Sequence, residues 1–258
     1  MDANWLEVDG PLVTDFTVQG ELAGKKAAIA ISDNAHVKNI RIGTGAKLSG
    51  DIESSWVYDD EKITTIIDGK VVQDTEMFRD WFVDQELTTR LSFEGTGLAY
   101  DGNITGVENM RLFISGDLAY GGTAQVLSAT VEKRGSLFGG TYDLVPDGAV
   151  HNESPALGYS FPYIGSEYSS PKILTIKKEL KNVGLFTNHG TIGAASKDTA
   201  LQITGDLLSD GTLQAYAGGT GGYIDVSGKA DINGSTLAAE GMLPGDTVTV
   251  LTAGVQRS

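Results

Sequence analysis

The sequence contains no cysteine at all. That excludes disulfides, thiolate nucleophiles and zinc–cysteine sites. It also suits a chain threaded unfolded through a pore, where a premature bridge would block passage. Histidine occurs three times and proline six times in 258 residues. Basic side chains are scarce, with 19 Lys and Arg against 34 Asp and Glu, a formal charge of −15. Such a surface repels phosphate backbones and anionic lipid, so nucleic acid is not an expected partner. No apolar run reaches membrane-spanning length. Met1-Asp2-Ala3-Asn4-Trp5 has neither the basic nor the apolar part of a signal peptide, so the chain reads as a segment of a longer protein.

Glycine, by contrast, is abundant, at 34 residues, and hydrophobic residues make up 40 %. The apolar residues alternate with polar ones in short runs, and helical periodicity is nearly absent. Ala28–Ser32, Val37–Ile42 and Ala46–Ile52 follow one another in this way. The breaks between them are too short for crossover helices, which excludes a doubly wound α/β fold. A loose repeat of glycine, carboxylate and aliphatic recurs at Gly20-Glu21-Leu22, Gly50-Asp51-Ile52, Gly116-Asp117-Leu118 and Gly205-Asp206-Leu207, with Gly102-Asn103-Ile104 as a neutral version. Repeats of short strands suggest a solenoid, in which stacked rungs bury an aliphatic column and glycine serves corners of positive φ. Because the repeat is imperfect, periodicity leaves a sandwich or barrel equally open.

Two stretches break the pattern. Residues 54–87 are acidic and aromatic, and Met77–Phe82 suits a short helix. Residues 146–181 hold Pro146, Pro155, Pro162 and Pro171 among aromatics. Both read as excursions from a regular scaffold, a common place for binding residues. Trp56, Tyr58, Trp81, Phe82, Tyr159 and Tyr163 are the candidates for contacting a ligand; equally, they pin the loops to the outer wall.

Three stretches resemble the passenger β-helices of monomeric Gram-negative autotransporters. They are Ala27 to Ser54 (AAIAISDNAHVKNIRIGTGAKLSGDIES), Leu91 to Leu144 (with LSFEG, YDGNITG, LFISGDLAYGGTAQV and GSLFGGTYDL in order), and residues 184–253. The last, ending MLPGDTVTVLTA, is similar to the autochaperone segment that closes such passengers. The arrangement over 91–253 resembles most the group whose upstream part is a subtilisin-like protease. The resemblance implies an all-β right-handed parallel β-helix, with rungs over 1–183 and autochaperone-like rungs and a cap over 184–258. About nine or ten rungs of roughly 20–25 residues are expected. It also implies a non-catalytic stalk at the bacterial surface, tethered to the outer membrane in the full-length protein. Its partners would be its own translocator barrel and the outer-membrane assembly machinery. Its C-terminal rungs would fold first, around Leu201, Ile203, Leu207, Leu213, Ile224, Val226, Ile232, Leu237, Val248, Val250 and Leu251. Pro244 and nearby charges would guard the last edge.

Chemistry of its own is not expected: no catalytic residue, metal or cofactor. His189-Gly190-Thr191 resembles the histidine segment of subtilases, yet no matching serine or aspartate motif occurs, so His189 reads as a turn residue. His36 and His151 are isolated. Gly218–Tyr223 resembles a glycine-rich calcium repeat, but Tyr223 stands where its carboxylate belongs. Asp59-Asp60, or Asp80 with Asp84, would serve a polysaccharide-degrading β-helix enzyme, but the residue set of such enzymes is not present in order. The alternative to a stalk is an adhesin-type module whose excursions contact host glycan or protein.

Overall fold

A computed structural model describes residues 6–7, 12–31, 36–54, 64–67, 70–72, 88–144, 158–160, 173–175 and 184–254. These residues are all-β, with no helix among them, and the sheets are mostly parallel. The expected helix near Met77–Phe82 lies outside the described residues.

Three ladders of parallel strands carry the structure. The first runs through Leu12–Val18, His36–Ile42, Thr89–Phe93, Ile104–Ile114, Thr123–Val131, Leu185–Asn188, Asp206–Ser209 and Ala230–Asp231. The second links Glu21–Ile31, Lys47–Ser54, Ile104–Ile114, Thr123–Val131, Thr141–Asp143, Leu201–Thr204, Ile224–Val226 and Leu251–Ala253. The third links Leu98–Tyr100, Asp117–Tyr120, Ser136–Phe138, Thr191–Gly193, Thr212–Tyr216 and Thr236–Glu240. Side chains bonded across one ladder step lie 17 residues apart for Arg111 and Ser128, 21 for Asn188 and Ser209, and 24 for Asn39 and Asp15.

Both expected excursions are bypassed in register. Ile40 pairs with Leu91, and Tyr142 pairs with Ile203. Among the described residues the first ladder holds eight strands, and it passes directly from His36–Ile42 to Thr89–Phe93 and from Thr123–Val131 to Leu185–Asn188. Within the excursions, the described strands Thr64–Ile67 and Lys70–Val72, and Gly158–Ser160 and Ile173–Thr175, pair antiparallel.

Strand alternation sends every second side chain inward. Ile40, Leu91, Leu112, Ala129, Phe186 and Leu207 are successive register partners of the first ladder, and all are buried. Ile52, Ile104, Ala124, Tyr142, Ile203 and Val226 do the same in the second, and Leu98, Leu118, Leu137, Ile192 and Leu213 in the third. The three columns meet in one apolar cluster. Five aromatic rings thread it: Phe93, Tyr100, Tyr120, Tyr142 and Phe186, with successive centroids 5.9, 5.9, 5.7 and 5.2 Å apart. Such offset and tilted contacts favour aromatic pairs beyond simple burial.

Among the described residues, the core is open at both ends. Phe16 aligns with the buried Ile40 and is still 39 % exposed, and Leu237 aligns with the buried Leu213 and is 56 % exposed. Each is covered by a described strand on one side only.

Glycine marks the corners, but for two different reasons. Gly50 and Gly205 have φ of +106° and +136°, the conformation expected of a corner glycine. Gly116 does not; there a Cβ would lie 2.0 Å from the carbonyl oxygen of Gly95 in the turn above. Gly135, Gly190 and Gly211 repeat that close stacking, each against the backbone of the preceding turn. The glycine–aliphatic motif therefore occurs at corners of all three ladders: Gly50-Asp51-Ile52 in the second, Gly116-Asp117-Leu118 in the third, Gly205-Asp206-Leu207 in the first.

Candidate functional site

Outward-facing positions of the first ladder form two adjacent rows. One contains Asn39, Arg90, Arg111, Ser128 and Leu185, each the register partner of the next. The other contains Phe113, Thr130 and Thr187. Between and beside them lies a half-open groove of about 350 Å³, lined also by Lys38 and Thr88. Strands at this point have neighbours on both edges, so the groove floor is a continuous sheet surface rather than a free strand edge.

The groove is built around arginines. Arg90 and Arg111 stand directly opposite on adjacent strands, a like-charge placement that destabilises a sheet unless other groups offset it. Arg90 is held from three sides. Its guanidinium carbon sits 3.4 Å from the centroid of the Phe113 ring, its Nη2 donates to Glu132 Oε1 at 2.8 Å, and its Nε donates to Ser92 Oγ at 3.2 Å. Stacking on Phe113 adds a cation–π attraction and fixes the plane of the fork. Arg111 is buried, 8 % exposed, and its Nη1 donates to Ser128 Oγ at 3.0 Å. Burial pulls its pKa below the ordinary arginine value, since the charged form loses solvation. Arg111 follows an irregularity where the pairing of Ile104–Ile114 with Thr123–Val131 shifts register between Gly106 and Arg111. Such bulges re-aim side chains. Lys38 adds a third cation and is exposed. Among the described residues, no aspartate or glutamate lines the groove.

None of these residues was singled out from sequence. A signal was present: Thr89-Arg90-Leu91-Ser92-Phe93 and Met110-Arg111-Leu112-Phe113-Ile114 place Arg-Leu in the same strand slot. The candidates that were singled out lie elsewhere. Trp56, Tyr58, Trp81, Phe82 and Tyr163 fall outside the described residues, as do Asp59, Asp60, Asp80, Asp84 and His151. Tyr159 belongs to the strand Gly158–Ser160, opposite Leu174. His36 begins the strand His36–Ile42, opposite Leu12.

His189 is exposed at a turn, with Nδ1 2.7 Å from Asp210 Oδ1 and no further catalytic partner among the described contacts. Its neighbour Asn188 is fully buried and ties three elements together: Nδ2 donates to Ser209 Oγ at 3.0 Å and to the Thr212 carbonyl at 3.4 Å, and Oδ1 accepts from the Gly190 amide at 3.1 Å. Gly218–Tyr223 forms a turn closed by the Gly221 amide on the Lys197 carbonyl, at 2.9 Å. Among the described residues, no three His, Asp or Glu side chains gather closely enough to hold a metal.

Of the C-terminal positions, Leu201, Ile203, Leu207, Leu213, Ile224 and Val226 are buried. Ile232, Val248, Val250 and Leu251 are half-buried. Leu237 is the departure from a core assignment: it points inward in register, but no described strand covers its far side.

No family model, curated protein or solved structure matches the chain. The functional reading therefore stands on residues and geometry.

Proposed function

We propose that the chain is a right-handed parallel β-helix serving as the non-catalytic stalk of an autotransporter passenger at the bacterial surface. The observation that carries this reading is the in-register return of each strand onto its predecessor in three ladders around one apolar core. A stack of that kind lengthens without changing its cross-section, and its stability is approximately a sum of neighbour terms. It therefore suits a rod that displays other segments and folds progressively from one end.

In this reading the strands of 184–253 fold first as the chain leaves the pore, and earlier strands add onto them. There is no ATP outside the cell. Each added rung buries apolar area at about 25 cal/mol per Å², a bias toward outward passage. The translocator barrel and the outer-membrane assembly machinery are the partners of the full-length protein. Buried Leu201, Ile203, Leu207, Leu213, Ile224 and Val226 supply the apolar seed, and the Asn188–Ser209–Ser235 hydrogen bonds add a polar tie inside the same stretch.

The test is deletion of residues 184–253 from the chain, followed by limited proteolysis, with refolding rate as a second reading. The proposal expects the remaining 1–183 to lose protease resistance and to refold much more slowly. Equal resistance and an equal rate would contradict it.

A further inference from the structure

We infer that Asn233 is an acceptor site for an N-linked glycan, delivered from a lipid-diphosphate-linked oligosaccharide by a transferase that reads an acidic sequon. This goes beyond the stalk role and rests on that reading only for exposure of the chain to such a transferase outside the cytoplasm.

The residues are the first argument. Asp231-Ile232-Asn233-Gly234-Ser235 places a hydroxyl two residues after an asparagine and a carboxylate two residues before it, with no proline between them. The hydroxyl is the general requirement of an N-glycan acceptor. The carboxylate offers a basic side chain of the transferase a charged contact. Asp101-Gly102-Asn103-Ile104-Thr105 repeats the pattern. Asn152-Glu153-Ser154 has Val150 in place of the carboxylate and lies outside the described residues.

The structure separates the two acidic sequons. Asn103 is held within the stack. Its Oδ1 accepts from the Thr123 amide at 3.2 Å, its own amide donates to Asp51 Oδ1 at 2.8 Å, and its carbonyl accepts from the Ile52 amide at 2.9 Å. The fold accounts for that asparagine. Asn233 sits differently. The Ser235 amide donates to the Ile232 carbonyl at 3.0 Å and closes a tight turn with Asn233 and Gly234 at its tip. Gly234 has φ of +90°, so the turn requires glycine there. It does not require Asn233, whose backbone amide donates to Asp231 Oδ1 at 3.1 Å and whose side chain makes no hydrogen bond among the described residues.

The tip also stands clear of the wall, as a bulky hydrophilic group needs. A Cβ on Gly234 would meet only the Asp210 side chain, at 3.8 Å. One on Gly211, at the same corner of the preceding rung, would lie 2.2 Å from the Gly190 carbonyl oxygen. Asp231, Asn233 and Gly234 are exposed. Ser235 Oγ donates to the Ser209 carbonyl at 2.9 Å and is released when this corner opens. Among the described residues, the flanking strands Ala230–Asp231 and Thr236–Glu240 have a neighbour on one side only, and such ends open at little cost. In the transfer, Asn233 Nδ2 bonds to the anomeric carbon. The bond from that carbon to the diphosphate oxygen breaks, the lipid diphosphate leaves, and one amide proton passes to a base of the transferase.

Two measurements test this. Peptide mass mapping of the chain isolated from the cells that make it is expected to find a glycan on Asn233. In the second, the folded full chain is incubated with an acidic-sequon oligosaccharyltransferase and an undecaprenyl-diphosphate-linked oligosaccharide, and its intact mass is followed. One glycan per chain is expected, lost in Asn233→Gln. Asp231→Asn keeps an oxygen for the turn and removes the charge, and is expected to slow transfer by about tenfold or more, as loss of one charged contact implies. Asn103→Gln is expected to leave the rate within about twofold, since that side chain is held in the fold. Transfer to the folded chain does not depend on the route of export, so the stalk reading can fail while this site stands. An unmodified Asn233 in the native chain, no transfer to the folded chain, equal transfer to Asn103, or an unaffected Asp231→Asn protein would each overturn it.

Discussion

The three tyrosines of the internal aromatic column occupy similar positions with their hydroxyls in different circumstances, and tyrosine-to-phenylalanine exchange separates them. Tyr100 Oη donates to the Gly50 carbonyl at 2.9 Å, with the Asn103 carbonyl at 3.2 Å. Tyr142 Oη donates to the Gly139 carbonyl at 3.3 Å, a long bond. Tyr120 Oη is buried with no hydrogen-bond partner among the described residues, although the Ile104 backbone lies near it. Phenylalanine keeps each ring in the column and removes only the oxygen. A net hydrogen bond contributes about 0.5–1.5 kcal/mol, and a buried unsatisfied polar group costs about 1–3 kcal/mol. Tyr100→Phe is therefore expected to lower stability by about 1 kcal/mol and Tyr120→Phe to raise it by about 1 kcal/mol, with Tyr142→Phe near zero. Urea titration by far-UV circular dichroism measures this, with an unchanged m-value showing that the unfolding unit is the same. A loss in Tyr120→Phe as large as in Tyr100→Phe would refute the reasoning.

Burial pushes the pKa of Tyr100, Tyr120 and Tyr142 above the ordinary tyrosine value, with Asp51 adding to the effect on the first two. The unfolded chain then releases these protons first, from about pH 10. Above that pH the unfolded state binds fewer protons than the folded one, so stability is full below about pH 9 and falls as pH rises, by up to about 1.4 kcal/mol per unit for each tyrosine. Urea midpoints from neutral to alkaline pH check this, and a flat profile through pH 11 would contradict it. Leu213→Ala, in the closed part of the third ladder, is expected to cost about 2–5 kcal/mol. Leu237→Ala at the open end is expected to cost under about 1 kcal/mol, and equal losses would show that the end is covered. Gly116→Ala forces a methyl onto the Gly95 carbonyl and is expected to cost about 1–3 kcal/mol by thermal melting, whereas no loss would mean that the two turns are not stacked.

Strand positions were legible because alternation is a local property. Val37–Ile42 and Ala46–Ile52 reappear as His36–Ile42 and Lys47–Ser54 almost unchanged. The acidic, aromatic and proline-rich runs of 54–87 and 146–181 interrupt that alternation in sequence, and most of their residues lie outside the described ones. Phase was harder to read. The same glycine–aliphatic motif begins strands of all three ladders, so Gly116-Asp117-Leu118 and Gly205-Asp206-Leu207 look equivalent in sequence and are not equivalent in space. Stacking corners also need glycine for backbone clearance as well as for positive φ, and the two needs are indistinguishable in sequence. The groove was hidden because an outward polar residue reads as a solvated face. Asn39, Arg90, Arg111, Ser128 and Thr187 become neighbours only once the ladder register is known, and the excursions place unequal lengths of chain between them.

Because the chain has no cysteine, pairs introduced into it report on proximity without background. Thr141 and Gln202 are 61 residues apart and joined side chain to side chain at 3.3 Å across the second ladder, over the whole of the second excursion. Parallel neighbours lie about 4.8 Å apart, within reach of a disulfide, while a shift of two residues adds about 6.6 Å along the strand. Thr141→Cys with Gln202→Cys is expected to cross-link readily under mild oxidation, and Thr141→Cys with Thr204→Cys is expected to remain reduced. Cross-linking of the offset pair in preference to the register pair would contradict the stacked parallel ladders.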